Sequence, residues 1–259
     1  MIRWGLATLL IALAFEVAAF AALPDHIVVY YSFSEGSGTK VKDLSKYGND
    51  GEIEGEAKWT VGEHDGALEL NGATGMISAP ISDSLCSLKE PMSVGAILKI
   101  VEFPVEWQSL ACMYPNEKCS NNDRENGWKC GFHNRNPTLT RWLAGDYHAT
   151  DVTLETDKWY YLVYVLNPDD AKFYVDGELA QHMAAPAVAG IDVHSPLHIG
   201  VEEGIGNWYS HIILDEFWIS SVEVSPDEIK MLASPESVIS VNPGDKLATT
   251  WGEVKSLYR

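Results

Sequence analysis

Short apolar runs broken by turn residues repeat along most of this chain. Ile27 to Phe33, Ala67 to Leu70, Met76 to Ala79, Met92 to Val101, Ser109 to Tyr114 and Trp128 to His133 each read as a strand, rich in β-branched, aromatic and aliphatic residues. Trp159 to Leu166 and Ala171 to Val175 flank Asn167-Pro-Asp-Asp170 and predict a hairpin, and Asp176-Gly177 turns into a short strand from Glu178 to Gln181. Leu197 to Val201 and Ile212 to Ile219 complete the set. Only one stretch has a helical signature: Ser225 as N-cap, Pro226 at the first helical position, then Asp227 and Glu228, ending at Leu232. More than ten short strands with one short C-terminal helix predict an all-β fold, an antiparallel two-sheet sandwich.

The strand Ile212 to Ile219 raises the first chemical question, because it carries two adjacent carboxylates, Asp215 and Glu216. Strict alternation places Ile213, Asp215, Phe217 and Ile219 on one face and Leu214, Glu216 and Trp218 on the other. One carboxylate is therefore expected inside whichever face is buried, and it needs a partner there.

The chain termini differ in texture from this pattern. Arg3, the apolar run Leu6 to Phe15 and Ala19-Phe20-Ala21 have the layout of a secretory signal peptide over residues 1–21. A single β domain over 22–234 follows, and residues 235–259 form a tail of mixed signals. Export predicts a secreted protein with no stable membrane insertion after cleavage. A formal net charge of −19 excludes nucleic acid and anionic membrane surfaces as partners. Cys86, Cys112, Cys119 and Cys130 in an exported chain suggest two disulfides, with three connectivities open. Pairing of Cys112 with Cys130 across a hairpin would leave Cys86 for Cys119.

Six segments in order resemble the laminin-G-like, concanavalin A-like jelly-roll superfamily. They are Tyr30 to Gly51, Gly66 to Gly72, Met92 to Ile97, Trp159 with Phe173 to Gly177, Leu197 to Gly200, and Leu214 to Ile219 with Ser225 to Ile229. The stretch from Cys112 to His148 departs from the family pattern and reads as an elaboration. The resemblance implies a jelly roll and a Ca2+ site joining the N-terminal turn to the closing strand, at positions Asp43, Asn49 and Asp215. The competing role for Asp43 is to cap a turn through its own backbone bonds.

Glycoside hydrolases of similar fold carry acids at alternate positions of one strand. Here the residues two positions from Asp215 are Ile213 and Phe217, which argues against that chemistry. No nucleophile elbow occurs, and His194 and His198 do not form a ligand pair across Pro196. Sugar binding needs aromatic faces beside amide and carboxylate groups. Trp128, Asn134, Trp142, Tyr147, Trp208 and Tyr209 combine these types, with core packing the competing role for each ring; Trp59, Trp159 and Trp218 are expected in the core. The expectation is a secreted, non-catalytic module binding a glycan or glycosylated surface, with a protein-binding adhesion module as the alternative.

Overall fold

The computed structural model describes residues 23–116, 126–141, 145–184, 190–202 and 207–234. The expected signal segment, the tail from 235 to 259, Cys119 and Trp142 lie outside them. Among the described residues sixteen strands, numbered along the chain, form two eight-stranded sheets. The first sheet runs β14 (Glu178–Ala184), β13 (Asp170–Val175), β12 (Trp159–Leu166), β7 (Met92–Glu102), β16 (His211–Ser220), β5 (Gly66–Asn71), β4 (Ala57–Val61), with β1 (Ile27–Tyr31) also paired to β16. The second runs β11 (Gly145–His148), β10 (Asn136–Arg141), β9 (Trp128–His133), β8 (Trp107–Met113), β15 (Leu197–Ile199), β6 (Met76–Ala79), β3 (Gly51–Glu54), β2 (Lys40–Val41). Every pairing is antiparallel, as the jelly-roll expectation requires.

The main core lies between the sheets and takes alternate residues of each strand, including Leu98, Ile100, Phe132, Leu139, Leu214 and Phe217. A second apolar cluster covers the other side of the first sheet. There α2 (Pro226–Leu232) lays Ile229 and Leu232 against Tyr30, Ile97, Tyr161 and Trp218. Burial on both faces explains why β7, β12 and β16 read as continuous apolar runs rather than clean alternations. The N-terminus of α2 matches its sequence signature, with Ser225 Oγ accepting from Glu228 N at 3.3 Å and Pro226 in the first turn. A second short helix, α1 (Asp83–Cys86), is capped by Ser82; four residues carry too little periodicity for sequence reasoning to find it. The stretch from Cys112 to His148, an elaboration by sequence, supplies β9, β10 and β11 at one edge of the second sheet.

The closing strand does not alternate strictly. Leu214 stands opposite Leu98 and Glu216 opposite Ile97, so Asp215 is an extra residue without a counterpart on β7. Leu214 and Phe217 both point into the main core, and the two carboxylates between them leave from the other side. The expected split of Asp215 and Glu216 between faces is therefore wrong: a β-bulge puts both on the α2 side, buried at 0% and 3% exposure.

Candidate functional site

The outward face of the second sheet is polar and aromatic. Trp128, Cys130, Phe132, Leu139 and Tyr147 fill the core, so the alternate residues Lys129, His133, Thr138, Thr140, Asp146 and His148 occupy the opposite face. Register aligns Cys112, Lys129, Thr140 and Asp146 in one row across β8 to β11, and Trp107, His133 and Asn136 in another. Trp208 reaches this face from the segment before β16, where its carbonyl accepts from Ser109 N at 3.2 Å and its amide donates to Glu202 O at 3.3 Å.

These residues meet as an aromatic shelf. The Trp107 ring centre lies 4.0 Å from that of His133, 5.6 Å from His148 and 5.6 Å from Trp208, the two indoles inclined by only 22°. His133 and His148 are themselves 4.7 Å apart. Trp107, Trp208, His133 and His148 are all partly exposed. Lys129 anchors the shelf from within, its Nζ 4.7 Å from the Trp107 ring and 4.5 Å from the Trp208 ring. The same ammonium lies 2.9 Å from Glu202 Oε2, both side chains being almost wholly buried. Hydrogen-bonding groups border the rings: Thr140 Oγ1 donates to Asp146 Oδ1 at 2.6 Å, Thr138 Oγ1 lies 3.0 Å from His148 Nδ1, and His133 Nε2 lies 2.9 Å from Glu106 Oε1. Burial, with the nearby His133 and the Lys129 charge, holds the His148 imidazole below its ordinary pKa, against the opposing pull of Asp146.

The sequence-based ligand set maps only partly onto this shelf. Trp208 belongs to it, Tyr209 follows it half-buried, and Asn134 sits exposed in the β9–β10 turn, donating to Glu106 Oε1 at 3.1 Å. Trp128 and Tyr147 do not: both are buried in the main core, because their strand positions alternate inward. Trp218 is fully buried as expected, whereas Trp59 and Trp159 are half-buried at the margins of the two clusters. Trp107, Lys129, His148 and Glu202 were missed. The signal that could have found part of the set is the polar alternation Lys129–Gly131–His133 followed by Asn136–Thr138–Thr140.

The expected calcium ligands do not converge. Asp43 already accepts four hydrogen bonds, from Tyr30 N and Ser45 N on Oδ1 and from Ser45 Oγ and Asn49 N on Oδ2, at 2.7–2.9 Å. Asn49 donates to Val28 O and Ser84 Oγ and accepts from Ser82 Oγ at 2.6 Å. Asp215 serves another segment, Oδ2 accepting from Glu63 N at 2.6 Å and His64 N at 2.8 Å. Tyr30, bound to Asp43, pairs with Trp218, three residues from Asp215. That is roughly 10 Å of strand, whereas Ca2+ needs its oxygens at about 2.3–2.6 Å. These three residues do not fit one shared ion, and Asp43 acts instead as a turn anchor.

The Asp215–Glu216 pair is a chemically unusual feature, but a closed one. Burial, reinforced by the adjacent Asp215 charge, pushes the Glu216 carboxyl well above its ordinary pKa. Burial also raises Asp215, opposed by the two backbone donors. Neither side chain is exposed enough to meet a polysaccharide.

The expected Cys112–Cys130 disulfide is absent. Cys130 pairs in register with Ala111, and Cys112 with Lys129, so the two sulfurs project from opposite faces of the sheet. Cys112 Sγ donates to Val201 O at 3.4 Å, and burial raises the pKa of the Cys130 thiol. Cys86 is also a free thiol, and its expected partner Cys119 lies outside the described residues.

A sequence profile for the Laminin_G_3 family, described as the "Concanavalin A-like lectin/glucanases superfamily", matches residues 71–230, more than half of the chain. No curated protein matches by sequence. Among solved structures, the chain resembles the binding domain of Paraclostridial Mosquitocidal Protein 1 (TM-score 0.61, 18% identity, 80% of this chain and 52% of that one). It also resembles Trypanosoma rangeli sialidase in complex with sialic acid (0.61, 19%, 82% and 33%). A third likeness is to domain 4 of AbnA, a GH43 extracellular arabinanase from Geobacillus stearothermophilus, in complex with arabinotriose (0.61, 16%, 80% and 98%). The chain thus spans about half of the first of these proteins and a third of the second. Identities this low establish a shared fold and nothing finer.

Proposed function

Because the chain belongs to the Laminin_G_3 family of the concanavalin A-like lectin/glucanase superfamily, we propose that it is a non-catalytic carbohydrate-recognition module, exported from the cell, whose binding surface is the Trp107–Trp208 shelf. The observation that carries this reading is the grouping of two partly exposed indoles and two imidazoles on one sheet face, bordered by Thr138, Thr140, Asp146 and Glu106. Sugar rings present apolar C–H faces that stack on indoles, while their hydroxyls need donors and acceptors at the rim. The AbnA domain seen with arabinotriose supports the reading as a neighbour of the same fold.

The placement of the acids supports the non-catalytic part of this reading. Asp215 and Glu216 are adjacent on one side of their sheet, but α2 and the loop at Glu63 and His64 enclose them. A glycosidic oxygen cannot reach a general acid from which solvent is excluded.

The test is a glycan array followed by calorimetry on the full chain, beside Trp107→Ala and Trp208→Ala. Loss of a stacking anchor is expected to weaken binding by about 30-fold, the ~2 kcal/mol of a typical hot-spot residue, with circular dichroism unchanged. Glycan binding that survives both substitutions would remove the shelf from the proposal. Absence of glycan binding together with capture of a protein ligand would favour an adhesion module instead.

A further inference from the structure

The charged groups bordering the shelf are mostly acidic. Glu106, Asp146 and Glu202 contribute three carboxylates. Among the described residues one permanent cation stands against them, Lys129, whose ammonium lies between two indoles and is engaged with Glu202 at 2.9 Å. His133 leans on Glu106, and Thr138 occupies one ring nitrogen of His148. Burial disfavours the charged form of His148.

Other cations among the described residues are turned elsewhere or stand far off. Arg135 places its guanidinium over the Phe103 ring and donates to Leu154 O. Arg141 points to the core side and pairs with Glu90, both almost fully buried. Lys40 shares the outward row through Glu52, Ser78, His198 and Cys112, five strands away from Lys129. At the usual inter-strand spacing that is roughly 24 Å, beyond the Debye length at physiological salt. His198 lies midway along this row, nearly buried. A formal charge of −19 over the whole chain adds a repulsive background.

We infer that the shelf takes uncharged glycans and excludes uronate-containing, sialylated and sulfated ones. An anionic sugar would bring its charge against Glu106 and Asp146 with the Lys129 ammonium already committed to Glu202. A neutral sugar meets the same carboxylates as acceptors for its hydroxyls and stacks its C–H face on the indoles. The inference rests on the carbohydrate reading of the shelf.

Matched ligand pairs test it: galacto-oligosaccharides against oligogalacturonates of equal length, and asialo against sialylated N-glycans, titrated into the full chain at pH 7.5 and low salt. The neutral member of a bound pair is expected to bind at least about tenfold more tightly, as like-charge juxtaposition predicts. The gap should narrow in Glu106→Gln and Asp146→Asn and in high salt. Equal or tighter binding of the acidic member would overturn the inference and leave carbohydrate recognition standing. Failure of every sugar, neutral and acidic, would overturn both.

Discussion

At the scale of single residues, the most consequential side chain is Glu216. Its carboxyl is buried beside Asp215 and its pKa is raised well above the ordinary value, first by burial and then by the neighbouring charge. The folded state therefore holds a proton that the unfolded chain releases near pH 4.5. Stability from this group is present below the unfolded pKa and is lost as pH rises toward the folded one. Glu216→Gln keeps the shape and removes the need to take up that proton on folding. It should raise the melting temperature at pH 7.5 by about 2–4 °C, the shift that ~1 kcal/mol produces in a domain of this size, and the gain should vanish at pH 4. A variant destabilised at both pH values would mean that the carboxylate is a needed acceptor rather than a strained charge. Neighbouring residues show why the local pattern misled here. Strict alternation separates Asp215 from Glu216, and a single inserted residue opposite β7 reunites them.

At the scale of elements, the turn from Val41 to Gly51 is built around Asp43. Its two oxygens take four hydrogen bonds and tie the turn to β1 through Tyr30 N, while Asn49 ties it to Val28 and to the start of α1. Asp43→Ala strands several buried donors at once and is expected to cost about 2–4 kcal/mol, since each unsatisfied group costs ~1–3. Chemical denaturation would measure that loss. Because the anchor uses the protein's own donors, adding EDTA or Ca2+ should leave the melting temperature of the wild-type chain unchanged. A calcium-dependent rise would show that an ion contributes to the fold. The residue types at Asp43, Asn49 and Asp215 were legible in the sequence as oxygen ligands held in place. Which atoms they meet was not, because Asp215 lies three residues along β16 from the position that Tyr30 pairs with.

At the scale of the whole molecule, two clusters share the first sheet: the main core between the sheets and the smaller one under α2. Strands β7 and β16 contribute to both, which accounts for their unbroken apolar character. Around this framework the chain carries 37 acidic against 18 basic residues, so compaction concentrates like charge. Raising NaCl from about 20 to 300 mM should raise the melting temperature, because screening shortens the range of that repulsion to below ~10 Å. A fall with salt would assign more stability to exposed pairs such as Lys42–Asp50 and Lys89–Asp192 than their exposure allows.

The sequence by itself determined the sandwich, the order of its principal strands and the position of α2. Two-residue alternation, turn residues and helix caps are local properties, and each is written within a few neighbouring positions. Tertiary structure alone decided the chemistry. The bulge at Asp215 depends on how β16 registers against β7, and the opposite projection of Cys112 and Cys130 on how β8 registers against β9. The shelf likewise depends on cross-strand register, which brings Trp107 to His133 and Gly131 to Thr138 and His148, and on a distant segment that delivers Trp208. Of the aromatic residues singled out by composition, Trp128 and Tyr147 face inward and Trp208 faces the shelf. Residue type was the same kind of signal for all three; only the direction of the strand pleat and the path of the connecting segment separated core from surface.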